Sequence, residues 1–321
     1  MSIRIVFDSN NTAFRANSVT ELYTKQGERT SAIVGTLNII HSVINELCKE
    51  YKQPVSEVIC AWDKGHSKRR KELYPEYKAN RKKKEQTEED KLFMQEFIEQ
   101  ANTLYENLHL FGVKNIRAQG WEADDLIYGV VQALTQKHPN DKIVIVSTDE
   151  DYHQLIDDNV DIYSPIKKVL FTKDKYEELT GIKQELFLTY KILKGDSSDG
   201  ITGIDGIGEK TAKSLVNTYG DIAGILQSED QLIKSKRTAK IFTTEGLQLL
   251  DRNNQLINLK EYVDLSEVED LITETVNEEP TVDVKGVKAF LMRWQVTSIL
   301  VKLKSWIEDF EDVTKNYLDK L

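Results

Sequence analysis

Carboxylates recur where the apolar runs of this sequence stop. IRIVF (3–7) runs into Asp8, EVICAW (57–62) into Asp63, and KIVIVS (142–147) into Thr148, Asp149, Glu150 and Asp151. Glu122, Asp124 and Asp125 stand together in GWEADDLIYGVVQAL, and Asp196 and Asp199 in LKGDSSDG. Each acid alone has an ordinary use. Asp149 suits a helix cap, Glu122, Asp124 and Asp125 suit the positive end of a helix dipole, and Asp196 suits a turn. Their shared pattern suggests more. Carboxylates gathered in one cleft repel, and cations relieve the repulsion. All-oxygen donors suit Mg2+ or Mn2+, whereas the five histidines form no zinc signature. One Mg2+ takes only one or two carboxylates, so nine acids point to two ions about 4 Å apart. Such a pair activates a water and steadies the leaving oxygen in phosphodiester cleavage.

Convergence of this kind needs a scaffold that carries distant segments to one edge. The patterns predict strands at 3–7, 57–62, 142–147 and 159–163, and helices at 32–50, 88–110 and 122–137. The 88–110 segment sets Phe93, Phe97, Ala101, Leu104 and Leu108 on one stripe. Strands alternating with helices predict an α/β fold with a mostly parallel central sheet, whose sites form beyond the carboxyl ends of its strands. After about residue 185 no further strand is expected and helices take over. The predicted division is 1–183 for the sheet-bearing core and 184–321 for a helical part. If 196–199 begins a helix, Asp196 and Asp199 share a face.

The whole chain is compatible with this reading. Its 321 residues, 40% hydrophobic and 30% charged, can bury a sizeable core. Two cysteines, Cys48 and Cys60, read as packing residues and indicate no disulfide framework. The start, MSIRIVFDSNN, is too quickly acidic for a signal peptide, and no apolar run approaches the roughly 20 residues of a membrane helix. A cytoplasmic monomer without membrane contact is the expectation. The net charge of −10 argues weakly against nucleic acid as a partner, but the charge is segregated. Residues 64–84 hold ten Lys and Arg against two Glu, while 261–283 hold nine acids and no Lys or Arg.

The basic stretch, KGHSKRRKELYPEYKANRKKK, begins directly after Asp63 and interleaves Tyr74 and Tyr77 with its cations. A solvated charged face is one reading. The other is a DNA contact, with cations on phosphate and rings on unpaired bases, through Arg69, Arg70, Tyr77, Lys82 and Lys83. Lys78 and Arg81 are placed to stabilise charge on a scissile phosphate. Farther on, GITGIDGIGEKTAKSLVNTYG nearly has P-loop spacing from Gly203 to Gly208, but Glu209 intrudes before Lys210-Thr211 and no apolar strand precedes it. Two helices joined by a glycine hairpin, about 196–220, fit better. Gly206 and Gly208, with Lys210 and Lys213, then grip a duplex backbone without reading bases.

VFDSNN, AWDKG, YPEYKANR, WEADD, VSTDEDYHQL, LKGDSSDG and GIDGIGEK occur in this order over residues 3–216. In that combination the chain resembles the 5′ nucleases: flap endonucleases, the 5′-nuclease domain of bacterial DNA polymerase I, and above all bacteriophage enzymes including the phage ribonuclease H type. RNNQLINL (252–259) looks like a weaker continuation, and beyond about 260 no residue-level match is claimed. The resemblance implies metal-dependent cutting of branched or nicked DNA, or of RNA–DNA duplex, near a 5′ end. It implies Asp8, Asp63, Glu122 and Asp124 for one metal. Asp125, Asp149, Asp151 and Asp199 would serve the other, with Asp196 beside it. Lys78 matches the catalytic lysine at the base of a helical arch, here 64–90. Phe14, followed by Arg15, matches an aromatic that stacks on a base near the cut, with core packing as its other use. The glycine hairpin corresponds to a helix–hairpin–helix that in many members also holds a monovalent cation such as K+. One departure is Gly200, where many relatives have Asn.

Two other readings stand beside this one. A compact metal-dependent endoribonuclease shares the strand-end acids but lacks the arch and the glycine hairpin. A non-enzymatic binder of DNA junctions explains the basic stretch and the hairpin but leaves the acids unused. The segment 284–310 sets Val287, Phe290, Leu291 and Trp294 at helical spacing, which suits core packing or docking to a sliding clamp or single-strand-binding protein.

Overall fold

A computed structural model gives the structure, which describes residues 2–79, 87–304 and 306–308. Its centre is a six-stranded sheet in the order β3-β2-β1-β4-β5-β6. The strands are β1 (Ile3–Asp8), β2 (Val55–Ala61), β3 (Lys114–Ile116), β4 (Lys142–Val146), β5 (Val160–Ser164) and β6 (Val169–Phe171). The first five are parallel, and β6 runs antiparallel to β5. The central strands are apolar on both sides because both faces are covered. Val6, Ile59 and Ile145 point to one layer, and Ile5, Phe7, Val58, Cys60, Val144 and Val146 to the other.

The second of these layers is built from α1 (Ser9–Val19), α2 (Ser31–Tyr51) and α4 (Glu88–Asn107). By length and composition α2 is apolar enough to cross a membrane, which the sequence reading did not anticipate. In the fold its stripe of Ile33, Leu37, Ile40, Val43, Ile44 and Leu47 is buried against the sheet. The short α3 (Lys68–Leu73) opens the basic stretch. On the other face lie α5 (Ala123–Lys137) and, after β6, α6 (Lys173–Thr180) and α7 (Phe187–Lys194).

Strands do not stop at 185. β7 (Gly195–Asp196) and β8 (Ile201–Thr202) form a small antiparallel hairpin, so Asp196 ends a strand and Asp199 sits in the turn after it, rather than both on a helix. The hairpin closes tightly. Gly195 has φ +75°, and a Cβ there would lie 2.3 Å from the Gly203 nitrogen, so no side chain fits. Residues 203–208 then lead into α8 (Glu209–Tyr219), followed by α9 (Ile222–Gln227), α10 (Glu229–Leu232), α11 (Thr244–Ile257) and α12 (Leu259–Tyr262).

The last helices return to the sheet. α13 (Glu269–Asn277), the acidic segment, packs on α5, with Ile272 lying over Gly129. α14 (Val284–Arg293) and α15 (Thr297–Leu300) go to the opposite layer. There Val287, Phe290, Leu291, Ile299, Trp306 and Ile307 join the core of α2 and α4, so the apolar spacing at 284–294 is used for packing. Arg293 also makes a two-pronged ion pair with Glu28, both contacts at 2.7 Å.

Candidate metal centre

The acids gather at the carboxyl edge of the sheet, around its switch point between β1 and β4. Asp8 ends β1 in register with Ala61 of β2. It caps α1, accepting from the Asn11 N–H at 3.2 Å, and its other oxygen accepts from Ser147 Oγ at 2.9 Å and the Tyr152 hydroxyl at 3.3 Å. Burial pushes its pKa up despite these donors. Asp63, two residues beyond β2, accepts from the Ala123 N–H at 2.7 Å. Its side chain reaches solvent at the mouth of a recess, yet the surrounding protein and the Asp8 charge raise its pKa to about 7. Across the switch point, Asp149 caps the short helical turn 150–155 by accepting from the Asp151 N–H at 2.9 Å. Burial and the neighbouring Asp151 charge hold its pKa well above the usual carboxylate range.

The amino end of α5 supplies the tightest group. Glu122, Asp124 and Asp125 each offer an oxygen within 4.8 Å of the others. Among them stands Arg70, from α3, which the sequence reading assigned to DNA. That assignment is corrected: its side chain is only 2% exposed. One nitrogen donates to Glu122 at 3.0 Å and Asp125 at 2.9 Å, and another to Asp125 at 2.8 Å. Asp124 lies 3.2 Å away. Tyr77 is likewise internal, donating to Glu122 at 2.9 Å and Asp199 at 3.2 Å rather than facing a base. Lys78 Nζ donates to Glu122 at 2.9 Å and lies 3.8 Å from Asp199. Burial disfavours the Glu122 charge, but Lys78 and Arg70 outweigh it and lower its pKa. Asp125 is raised to about 6, because burial outweighs its own bond to Arg70.

A third buried cation completes the arrangement, and the sequence reading missed it. Lys191, on α7, is 3% exposed and lies between Asp151, at 2.6 Å, and Asp196. It holds the Asp196 carboxyl well below the usual range, against the effect of burial. The signal was present: a lone lysine between the buried Tyr190 and Ile192, five residues before Asp196.

The resulting geometry is uneven. Asp8, Asp63 and Asp124 feel one another's charge, and Asp149 pairs with Asp151. Asp125 and Asp199 are turned onto Arg70 and onto Lys78 and Tyr77, so the four acids expected to share the second metal are not gathered into one cage. The donors are all carboxylate oxygens, and among the described residues nine acids face Arg70, Lys78 and Lys191. Burial lifts the pKa of Asp8, Asp63, Asp125 and Asp149, the mark of a site short of positive charge. Hard divalent cations fit that donor set.

Two expectations follow from these charges. Arg70→Met leaves three acids without their buried partner and should cost about 3–5 kcal/mol of stability, read from urea unfolding. The second concerns pH. Asp63 and Asp125 have folded pKa values of about 7 and about 6, above the ordinary carboxylate value. The folded state therefore binds more protons than the unfolded chain, so raising the pH through 6 to 8 removes stability. Metal-free protein should melt at a lower temperature at pH 8 than at pH 6. Saturating Mg2+, which competes with those protons, should shrink the difference, and thermal melts at both pH values check this.

The DNA-contact candidates are distributed around this edge. Phe14 is 41% exposed, with ring-edge contacts to Phe97 at 5.3 Å and Phe93 at 5.9 Å, and Arg15 is exposed beside it. Arg69 donates to the Gln255 carbonyl. Arg81, Lys82 and Lys83 lie outside the described residues. Gly206, at φ +83°, Gly208 and Lys210 are exposed at the 203–208 turn and the start of α8, and Lys213 pairs with Glu209 at 2.9 Å.

The model of the 5′-3′ exonuclease N-terminal resolvase-like domain matches residues 4–181, and that of the 5′-3′ exonuclease C-terminal SAM fold matches 182–279. A 5′-3′ exonuclease of Buchnera aphidicola is 29% identical over 80% of this chain and 80% of its own length. DNA polymerase I of Caldicellulosiruptor bescii is 31% identical over 93% of this chain, which spans only 33% of that relative. Among solved structures, the bacteriophage T5 5′-exonuclease with bound zinc has a TM-score of 0.69 at 27% identity, covering 86% of this chain and all of that one. A pseudo-enzyme–product complex of the T5 flap endonuclease with DNA and metal ions gives 0.68 at 26% identity, covering 86% of this chain and 100% of that one.

Proposed function

We infer the function from one premise: the chain belongs to the 5′-3′ exonuclease family. It is a nuclease of phosphodiester bonds, and its finer activity is read here as structure-specific 5′ cleavage. Substrates would be 5′ flaps, nicked duplexes and RNA primers on DNA, with ribonuclease H activity following from the last. The observation that carries this reading is the convergence of Asp8, Asp63 and Asp124 from three segments onto one sheet edge, with Lys78 beside them.

Two Mg2+ ions, or Mn2+, would be held by those acids with Glu122 on one side and by Asp149 and Asp151 on the other. Bound there, they supply a nucleophilic water and charge neutralisation. The chain's own groups do the rest. Ser147 and Tyr152 orient Asp8, and Arg70 orients Glu122 and Asp125. Lys78, joined by Arg81, brings positive charge to the scissile phosphate. Phe14 offers a ring to a base beside the cut, and the exposed turn at Gly206 and Gly208, with Lys210, offers backbone N–H groups and charge to duplex phosphates. A K+ ion at that turn belongs to the same reading, as does action as a cytoplasmic monomer. Val287, Phe290 and Leu291 are committed to the core, so a sliding clamp or single-strand-binding protein would meet the exposed Val284 and Met292 instead.

The test is a panel of end-labelled 5′-flap, nicked and RNA–DNA substrates with Mg2+, Mn2+ or chelator. Metal-dependent release of short 5′ products supports the reading. Tight binding of the flap with no cleavage in either metal would favour a junction-binding protein.

A further inference from the structure

The stretch RNNQLI, 252–257, closes α11, away from the acids in sequence but joined to α3, to the 150–155 turn and to the β7–β8 hairpin. A helix ends with four carbonyls that lack a helical partner. Here the Asn258 N–H takes the first, that of Asn254, at 2.9 Å. The other three are taken by side chains from the site. Arg69 donates to Gln255, Arg70 Nε to Leu256 at 3.1 Å, and Gln154, from the turn that follows Asp149, to Ile257 at 3.0 Å. Two guanidinium groups at a helix carboxyl end also match its dipole.

The same stretch faces the β7–β8 hairpin on its other side. Asn253, fully buried, donates to the Ile192 carbonyl at 3.0 Å and the Thr202 carbonyl at 2.9 Å. Arg252 donates to Thr202 Oγ1 at 3.0 Å and to its carbonyl at 3.2 Å. The Arg252 guanidinium lies 4.4 Å from the centroid of the Tyr74 ring, and the Tyr74 hydroxyl donates to the Gly200 carbonyl at 3.3 Å. Four residues on, the Lys78 N–H donates to the Asp199 carbonyl at 2.7 Å. A closed ring results: α11 to the hairpin, the hairpin to the lysine turn, and the turn back to α11 through the guanidinium stack.

We propose that Arg252 is a positioning residue that fixes the lysine turn against the duplex-gripping part, so that the cut falls at a defined phosphate. The inference rests on the nuclease reading above. Tyr77 anchors one side of the turn that carries Lys78, buried against Ile201, Leu256 and Ile257, and the stack of Arg252 on Tyr74 fixes its other side. The planar guanidinium lies over the ring while its rigid fork bonds both oxygens of Thr202, a geometry that a compact ammonium on a flexible stem does not reproduce.

The experiment uses the full-length protein, a 5′-end-labelled flap and enzyme in excess, reading the single-turnover rate and the distribution of cut positions. Affinity is measured separately in chelator, and folding by thermal melting. Arg252→Ala and Tyr74→Leu should each slow cleavage about tenfold and spread the cuts over neighbouring phosphates, with Kd nearly unchanged. Arg252→Lys should not restore either property, and the double variant should be no worse than the singles. Wild-type rate and cut position in both single variants overturn the proposal. So does a change in Kd alone that Arg252→Lys repairs, which would make Arg252 a phosphate contact. If one variant fails to fold, the other reads the same stack from its opposite side. Failure of the wild type to cut would instead sink the nuclease reading itself.

Discussion

Asp149→Asn should lower flap cleavage in Mg2+ by at least about 10³-fold, roughly 4 kcal/mol of barrier, while branched-DNA affinity stays within about twofold. The structure makes this substitution unusually clean. Asp149 caps the 150–155 turn through Oδ1, and asparagine keeps an oxygen there, so the Asp151 N–H retains its acceptor. What is lost is charge, at a group that burial and Asp151 already strain. Single-turnover kinetics beside gel-shift titration in chelator give both numbers. Normal turnover by the variant would remove Asp149 from the metal site.

Lys78→Ala should cost about 10²–10³-fold in turnover, the scale of losing one preorganised charge-stabilising donor. Lys78 is one of four non-glycine residues with positive φ, at +56°, among the described residues. Alanine suffers the same left-handed strain as lysine, and the bond from the residue 78 N–H to the Asp199 carbonyl does not involve the side chain. The backbone should therefore stay in place while the Lys78 charge is withdrawn from Glu122 and Asp199. A lysine that merely held phosphate would behave differently, weakening binding and reducing the salt slope by about one with turnover intact. Titrations at several salt concentrations, paired with single-turnover rates, separate the two.

The parts of this molecule legible in the sequence are those with strong local signals. Four apolar runs became β1, β2, β4 and β5 because central parallel strands are buried on both faces and must be apolar throughout. The acids after them could be placed at one edge because chain direction in a parallel sheet dictates it. β3 escaped notice because it has three residues and starts with Lys114, a cation made tolerable inside by Glu57 and the Val276 carbonyl. α1 has little apolar periodicity; the capping by Asp8 and an inner face of small residues, Ser9, Thr12, Ala13 and Ala16 with Asn17, make it. The turn at 195–203 depends on Gly195, whose role becomes visible only when the opposing strand is in place.

The basic stretch shows a different limit. A run of Lys and Arg reads as surface because charge is normally solvated. Nothing in SKRRKELYPEY says that Arg70 turns inward while Lys68 stays out, because the reason lies about fifty residues away in Glu122, Asp124 and Asp125. Buried ion pairs of this sort join segments that sequence spacing cannot relate. The same holds for Lys191 with Asp151 and for Arg252 with Tyr74.

The return of α14 and α15 to the layer that holds α2 and α4 bears on how the chain is made. Phe290, Trp306 and Ile307 fill space beside Phe111, within a core whose first strand begins at residue 3. During synthesis that layer is left open until residues 287–307 have emerged from the ribosome. The sheet cannot finish folding as an independent early unit, and its greasy flank must wait, shielded or at risk of sticking to other chains, for α14 and α15 to arrive.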